Sequence, residues 1–157
     1  MDKVNSKVNL RGFSLVELMV VVAIVGVLTM VAYPSYQGFM VSSNRAAAQA
    51  DLMSLGAAME RHKAAAFTYE GAAQSAANTG TPAIFHGHSP SAEPYANRSY
   101  NLLITVATGT SYVVEARPLS SSVQAGDGSV YLYGDGRRAW DANNSGSIGN
   151  DEFCWKC

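Results

Sequence analysis

The sequence predicts an α+β chain: one long N-terminal helix, its first half able to cross a membrane, its second half packed on a three- to four-stranded antiparallel sheet. Three observations carry that expectation. A long apolar run follows a short basic leader, and an apolar stripe at helical spacing continues beyond it. The segments rich in β-branched and aromatic residues all come later, separated by turn residues. With 157 residues, the chain has room for one domain and an appended segment.

The leader is residues 1–12, where Lys3, Lys7 and Arg11 stand against Asp2. Such a segment stays cytoplasmic under the positive-inside rule, which sends the rest of the chain outward. From Phe13 to Val41 the sole Asp, Glu, Lys or Arg is Glu17. Leu18 to Tyr33, extended by Phe13 to Val16, approaches the ~20 apolar residues a bilayer requires. A secretory signal would place a small-residue cleavage site after the run. Val31-Ala-Tyr-Pro-Ser35 offers none, so the run is expected to be retained.

Glu17 stands out because a carboxylate deep in hydrocarbon costs roughly 2.5–3.5 kcal/mol on insertion scales, and less near the interface. A place in the first helical turn offsets part of that cost through the helix dipole. A positive partner offsets more, and cutting after Gly12 creates one in the α-amino group of Phe13. The run Gly12-Phe13-Ser14-Leu15-Val16-Glu17, followed by an apolar helix, resembles the prepilin cleavage and methylation motif of type IV pilins and type II secretion pseudopilins. The resemblance implies cleavage between Gly12 and Phe13 by a membrane prepilin peptidase, then N-methylation of Phe13. It also implies that Glu17 meets a Phe13 amine, in its own chain or a neighbour's, as subunits assemble.

The expected division is a leader at 1–12, a transmembrane and filament-core helix at 13–40, and a globular head at 41–157. The head divides into a helix at 41–66, a connection at 67–98, a sheet at 99–140 and a C-terminal loop at 141–157. Gly26 and Pro34 are expected to interrupt the membrane helix, since proline removes a backbone hydrogen bond and clashes with the preceding turn. Membrane helices also tolerate both residues. The resemblance implies that such flexibility lets subunits pack and stretch.

Beyond Pro34, Ala48, Leu52, Leu55 and Met59 recur at spacings of three and four, with Asp51, Glu60, Arg61 and Lys63 off the stripe. One helix from Ser14 to about Ala66 would span roughly 80 Å at 1.5 Å per residue. His62, near the stripe, reads as a packing or surface residue. Residues 67–98 are rich in Ala, Gly, Ser, Thr and Pro without steady periodicity, and read as a long loop. His86 and His88 within it lack a third ligand for a metal. Strands are expected at Ser99–Thr108, at Ser111–Pro118, and as two short pieces within Ser129–Trp140 around Gly134-Asp135-Gly136.

Asp141 to Glu152 follows the calcium-loop template. Asp141, Asn143 and Ser145 take positions one, three and five, Gly146 six, Ser147 seven, and Glu152 twelve. Alternate oxygens can wrap a hard cation while glycine allows the sharp turn. Serine at position five departs from the usual Asp or Asn, and no exiting helix follows. The same residue types build turns with no metal, so both readings stand; a calcium site here would be weak, about 10⁻⁴–10⁻³ M.

Cys154 and Cys157 have the spacing of a redox motif, which needs its first cysteine at a helix N-terminus. That setting is missing, so a structural disulfide is expected in an exported head, with modest entropic stabilisation from so short a loop. Many pilins instead close a longer C-terminal loop with separated cysteines. The stretch from Trp140-Asp141 to Cys154-Trp155 resembles the tail of minor pilins of the PilE kind.

The chain carries 11 Lys and Arg against 12 Asp and Glu; without the three basic and one acidic leader residues, 8 face 11, a side-chain charge of −3. Arg98, Arg117, Arg137, Arg138 and Lys156 remain candidates for a cluster, but no aromatic-basic stripe runs along the sequence, and no nucleic-acid partner is expected. No nucleophile elbow, zinc motif, phosphate loop or paired carboxylates point to an enzyme. The expected protein is a structural subunit, a minor pilin by preference, supporting pilus biogenesis, motility or adhesion. It would reside in the inner membrane with its head outside the cytoplasm, then in a surface pilus. Its expected partners are other pilin subunits, prepilin peptidase and the pilus assembly platform. The alternatives are a type II secretion pseudopilin and a DNA-uptake pilin.

Overall fold

The computed structural model describes residues 13–156; the leader with Gly12, and Cys157 at the other end, lie outside the described residues. The chain divides into two units, Met1–Gln37 and Gly38–Cys157. Helix α1 covers Leu15–Ala66 as one continuous element that contains both Gly26 and Pro34. The single helix expected from Ser14 to about Ala66 is present, and its helical pattern runs through both residues, as membrane-type helices permit.

In the first unit the apolar side chains of α1 are exposed throughout. Leu28 is 63% and Met30 80% exposed, although burial is where such residues normally gain their free energy. By length and composition this helix can cross a membrane. The exposed surface is thus suited to lipid or to other apolar helices rather than to water.

The second unit is built on a five-stranded antiparallel meander: β1 His88–Ser89, β2 Tyr100–Ala107, β3 Tyr112–Pro118, β4 Val130–Tyr133 and β5 Arg138–Trp140, in that order across the sheet. The expected three or four strands gain a fifth, because β1 is only two residues long, paired through Ser89 with Tyr100 and His88 with Asn101. Two residues cannot show a period-2 pattern, so the strand is invisible until β2 is present as its template.

Alternation on the pleat turns Tyr100, Leu102 and Ile104 of β2, Val114 of β3 and Val130 and Leu132 of β4 into the core. The predicted stripe of α1, Ala48, Leu52, Leu55 and Met59, is fully buried in the same core. Tyr69 meets Tyr112 edge-on, with ring centroids 4.8 Å apart. Burial and nearby Glu60 raise the Tyr112 hydroxyl pKa to about 12.

The 67–98 connection is ordered by packing and by hydrogen bonds. It contains short 3₁₀ turns at Gln74–Ala76 and Tyr95–Asn97, and a bridge from Gly80 to Ile104 of β2. Asp51, polar and off the apolar stripe, ties it to α1. Its carboxylate accepts the Ser89 hydroxyl at 2.6 Å, the Ser91 N–H at 3.0 Å and the Ser91 hydroxyl at 2.6 Å.

Candidate functional site

At the head of α1, Glu17 lies in the first turn, where a carboxylate is favoured, and its side chain is exposed. Phe13, just before the helix, is 74% exposed. The motif therefore presents an accessible acid and an accessible aromatic four positions apart, next to an apolar helical surface without any other charge.

In the head, the structure gathers Asp141, Asn143, Ser145, Ser147 and Glu152 into one loop. The Asp141 carboxylate accepts the N–H groups of Ser145 and Gly146, each at 2.8 Å, and Asn143 Oδ1 accepts the Ser145 N–H at 2.9 Å. Ser145 Oγ donates to the Ser147 carbonyl at 3.0 Å. Glu152 folds back from the far end, accepting the N–H groups of Asn143 at 3.3 Å and Gly149 at 2.8 Å. Asp141 and Glu152 are both buried. Backbone N–H groups thus compensate the cost of burying two carboxylates. Among the described residues no three His, Cys, Asp or Glu side chains are grouped for a metal.

The histidines have structural partners. His62 donates to the Glu70 carbonyl at 2.8 Å, and His88 to that of Glu93 at 3.0 Å. His86 and His88 belong to an edge-to-face ring series that runs from Phe85 to Tyr95. Cys154 is disulfide-bonded.

Sequence reasoning missed a buried polar network centred on Asp127. Arg45 of α1 forms a two-pronged ion pair with this carboxylate, its Nε–Oδ2 arm at 2.8 Å. Tyr100 donates to Asp127 at 2.6 Å and Gln124 at 2.8 Å, while Gln124 also donates to the Val41 carbonyl at 3.0 Å. The Trp140 indole N–H donates to the Asp127 carbonyl at 2.6 Å, and the Arg45 guanidinium stacks 3.7 Å over that indole. Burial, then the Asp127 carboxylate, hold the Tyr100 hydroxyl well above the ordinary phenol range. This network fastens the Ser/Gly-rich 119–128 loop to α1. In sequence, Gln124-Ala-Gly-Asp127-Gly reads only as a turn, and no local periodicity announces that Asp127 is buried.

The five candidate cations separate into two groups. Arg98 and Arg117 line a cleft of about 340 Å³ with Tyr95 and Asn101. Arg98 stacks 3.8 Å over Tyr95 and donates to Asn101 Oδ1 at 2.9 Å, while Arg117 is held by the buried Glu115 at 2.8 and 2.9 Å. Arg138 and Lys156 line a second groove, beside Arg137, which stacks on Tyr133 and Phe153. Basic and aromatic side chains therefore do pair, Arg98 with Tyr95 and Arg137 with Tyr133 at near sequence positions, Arg137 with Phe153 and Arg138 with Trp155 across the fold.

A long apolar N-terminal helix bearing one acid in its first turn, continuing into a head with an antiparallel sheet, defines a type IV pilin-like subunit. Residues 34–128 match the family described as type IV minor pilin ComP, DNA uptake sequence receptor, and residues 9–33 match the prokaryotic N-terminal methylation motif. The chain belongs to this type IV minor pilin family. No solved structure matches it.

Proposed function

We propose that this minor pilin is made as a membrane-held precursor, cut by prepilin peptidase between Gly12 and Phe13, methylated on Phe13, and inserted into a pilus through its N-terminal helix. The observation that carries this reading is the pairing of the matched methylation motif with a helix whose stretch from Leu15 to Phe39 has exposed apolar side chains and Glu17 as its single acid. In a filament that apolar surface is buried against neighbouring helices, which supplies the driving force for assembly. Before assembly it lies in the inner membrane with the head outside the cytoplasm.

DNA capture is a second reading, supported by the description of the matched family and by the Arg98–Tyr95 stack beside Arg117, all within the matched residues. One experiment separates the readings: mass spectrometry of sheared pili, beside a deletion strain tested for twitching, secretion and transformation. A chain beginning at methylated Phe13, at low abundance in pili, is the expected result. Its absence from pili together with a secretion defect would move the protein to a type II secretion pseudopilus. Loss of transformation with pili intact would favour DNA capture.

For the Asp141–Glu152 loop we propose weak calcium binding, supported by the five oxygen-bearing positions it brings together. Millimolar calcium should then raise the melting temperature of the full chain in detergent above its value in EDTA, and magnesium should not. Coincident melts would remove calcium and leave a self-satisfied turn.

A further inference from the structure

The groove of about 570 Å³ near the C-terminus, lined by Gln49, Arg138, Phe153, Trp155 and Lys156, lies largely outside the matched residues 34–128. Of the five other arginines in the head, Arg45, Arg98, Arg117 and Arg137 have side-chain oxygen acceptors, and exposed Arg61 has none among the described residues. Arg138 has none among the described residues; its guanidinium rests 4.7 Å over the Trp155 ring, with no further contact among those residues. Trp155 is itself fixed, its indole N–H donating to the Tyr131 carbonyl at 3.1 Å. Lys156, exposed on the same groove, has no carboxylate partner among the described residues. A guanidinium stacked on a fixed indole and an ammonium thus share one groove, and a planar fork beside a point charge suits an oxyanion.

We propose that this groove binds a carboxylated sugar of an acidic polysaccharide, the carboxylate taken by Arg138 and Lys156 and the sugar ring lying along Phe153. Charge density favours such a ligand over nucleic acid. Two cations with no carboxylate partner among the described residues suit a polymer with one carboxylate per ring, whereas duplex DNA carries one charge per roughly 1.7 Å of axis. The exposed carboxylates of Asp135 and Asp151 lie at neighbouring sequence positions and oppose a dense polyanion. The Trp155 face on which an unpaired base would stack already carries the Arg138 guanidinium. Phe153 remains 42% exposed, enough to meet the apolar face of a sugar ring.

The test is calorimetric titration of the full chain in detergent micelles, in EDTA, with a galacturonate tetramer; maltotetraose serves as the neutral control and a short DNA duplex as competitor. The tetramer should bind and maltotetraose should not. Arg138→Gln and Lys156→Gln, each with an unchanged melting temperature, should weaken binding about tenfold or more. Absence of tetramer binding, or equal binding by both variants, overturns the proposal. So does duplex DNA that binds more tightly and loses affinity in the same variants, which would assign the groove to nucleic acid. Because the readout uses purified protein, it stands or falls independently of pilus assembly.

Discussion

Gly128→Ala should cripple the head, lowering its melting temperature by at least about 10 °C, or about 4 kcal/mol. Gly128 has φ +77°, and a Cβ there would lie 1.8 Å from the Asp141 carbonyl oxygen and 2.9 Å from its carbon. Both are backbone atoms that no rotamer change can move. The two segments are joined at this point by the Asp141 N–H donating to the Ser129 carbonyl at 2.9 Å, and by Trp140 donating to the Asp127 carbonyl. Relief of the contact therefore pulls apart the anchor of the 119–128 loop and the entrance to the C-terminal loop together. Gly136→Ala isolates the contact from the dihedral: φ is +87° there too, but nothing lies within 4 Å of the added Cβ. That variant should cost only about 1–2 kcal/mol. The measurement is near-ultraviolet circular dichroism of both variants during heating in detergent. Equal melting of Gly128→Ala and Gly136→Ala would show that the close approach does not constrain the head.

Glu17→Val should leave processing intact and reduce the subunit's content in pili roughly a hundredfold, as assembly transfers an unpaired Phe13 amine to apolar surroundings at a cost of about 2.5–3.5 kcal/mol. Glu17 is exposed and α1 offers no second acid between Leu15 and Phe39, so no other carboxylate of this segment can substitute. The check is quantitative immunoblotting of sheared pili against whole cells, with the mature N-terminus confirmed by mass spectrometry. Equal incorporation would mean that apolar contact alone recruits the subunit and that the acid is not read by its neighbours.

The membrane-type helix, the apolar stripe, the two long strands and the hairpin around Gly134-Asp135-Gly136 were all evident from the amino-acid order. Each rests on a local cause: an uninterrupted apolar run, a 3.6-residue period, a 2-residue period, or turn-forming residues between them. The stripe Ala48, Leu52, Leu55 and Met59 is buried as its spacing required, because a helix face repeats along its own sequence. Strand β1 shows the limit of a local rule, as two residues become a strand only where β2 offers its edge.

The same division holds for the candidate sites. The processing motif lies within six consecutive residues, Gly12 to Glu17, and the oxygen ladder within twelve, Asp141 to Glu152, so each is written in order along the chain. The Asp127 network joins Arg45, Tyr100, Gln124 and Trp140, and the acidic-sugar groove joins Gln49 to Arg138 and Trp155. No pattern in the sequence links those positions, because a side chain's partner across the fold depends on which strand lies beside which helix. Local periodicity fixes α1 and the long strands, whereas pairing between distant charges and rings arises only once the sheet has closed on α1 and turned those side chains toward one another.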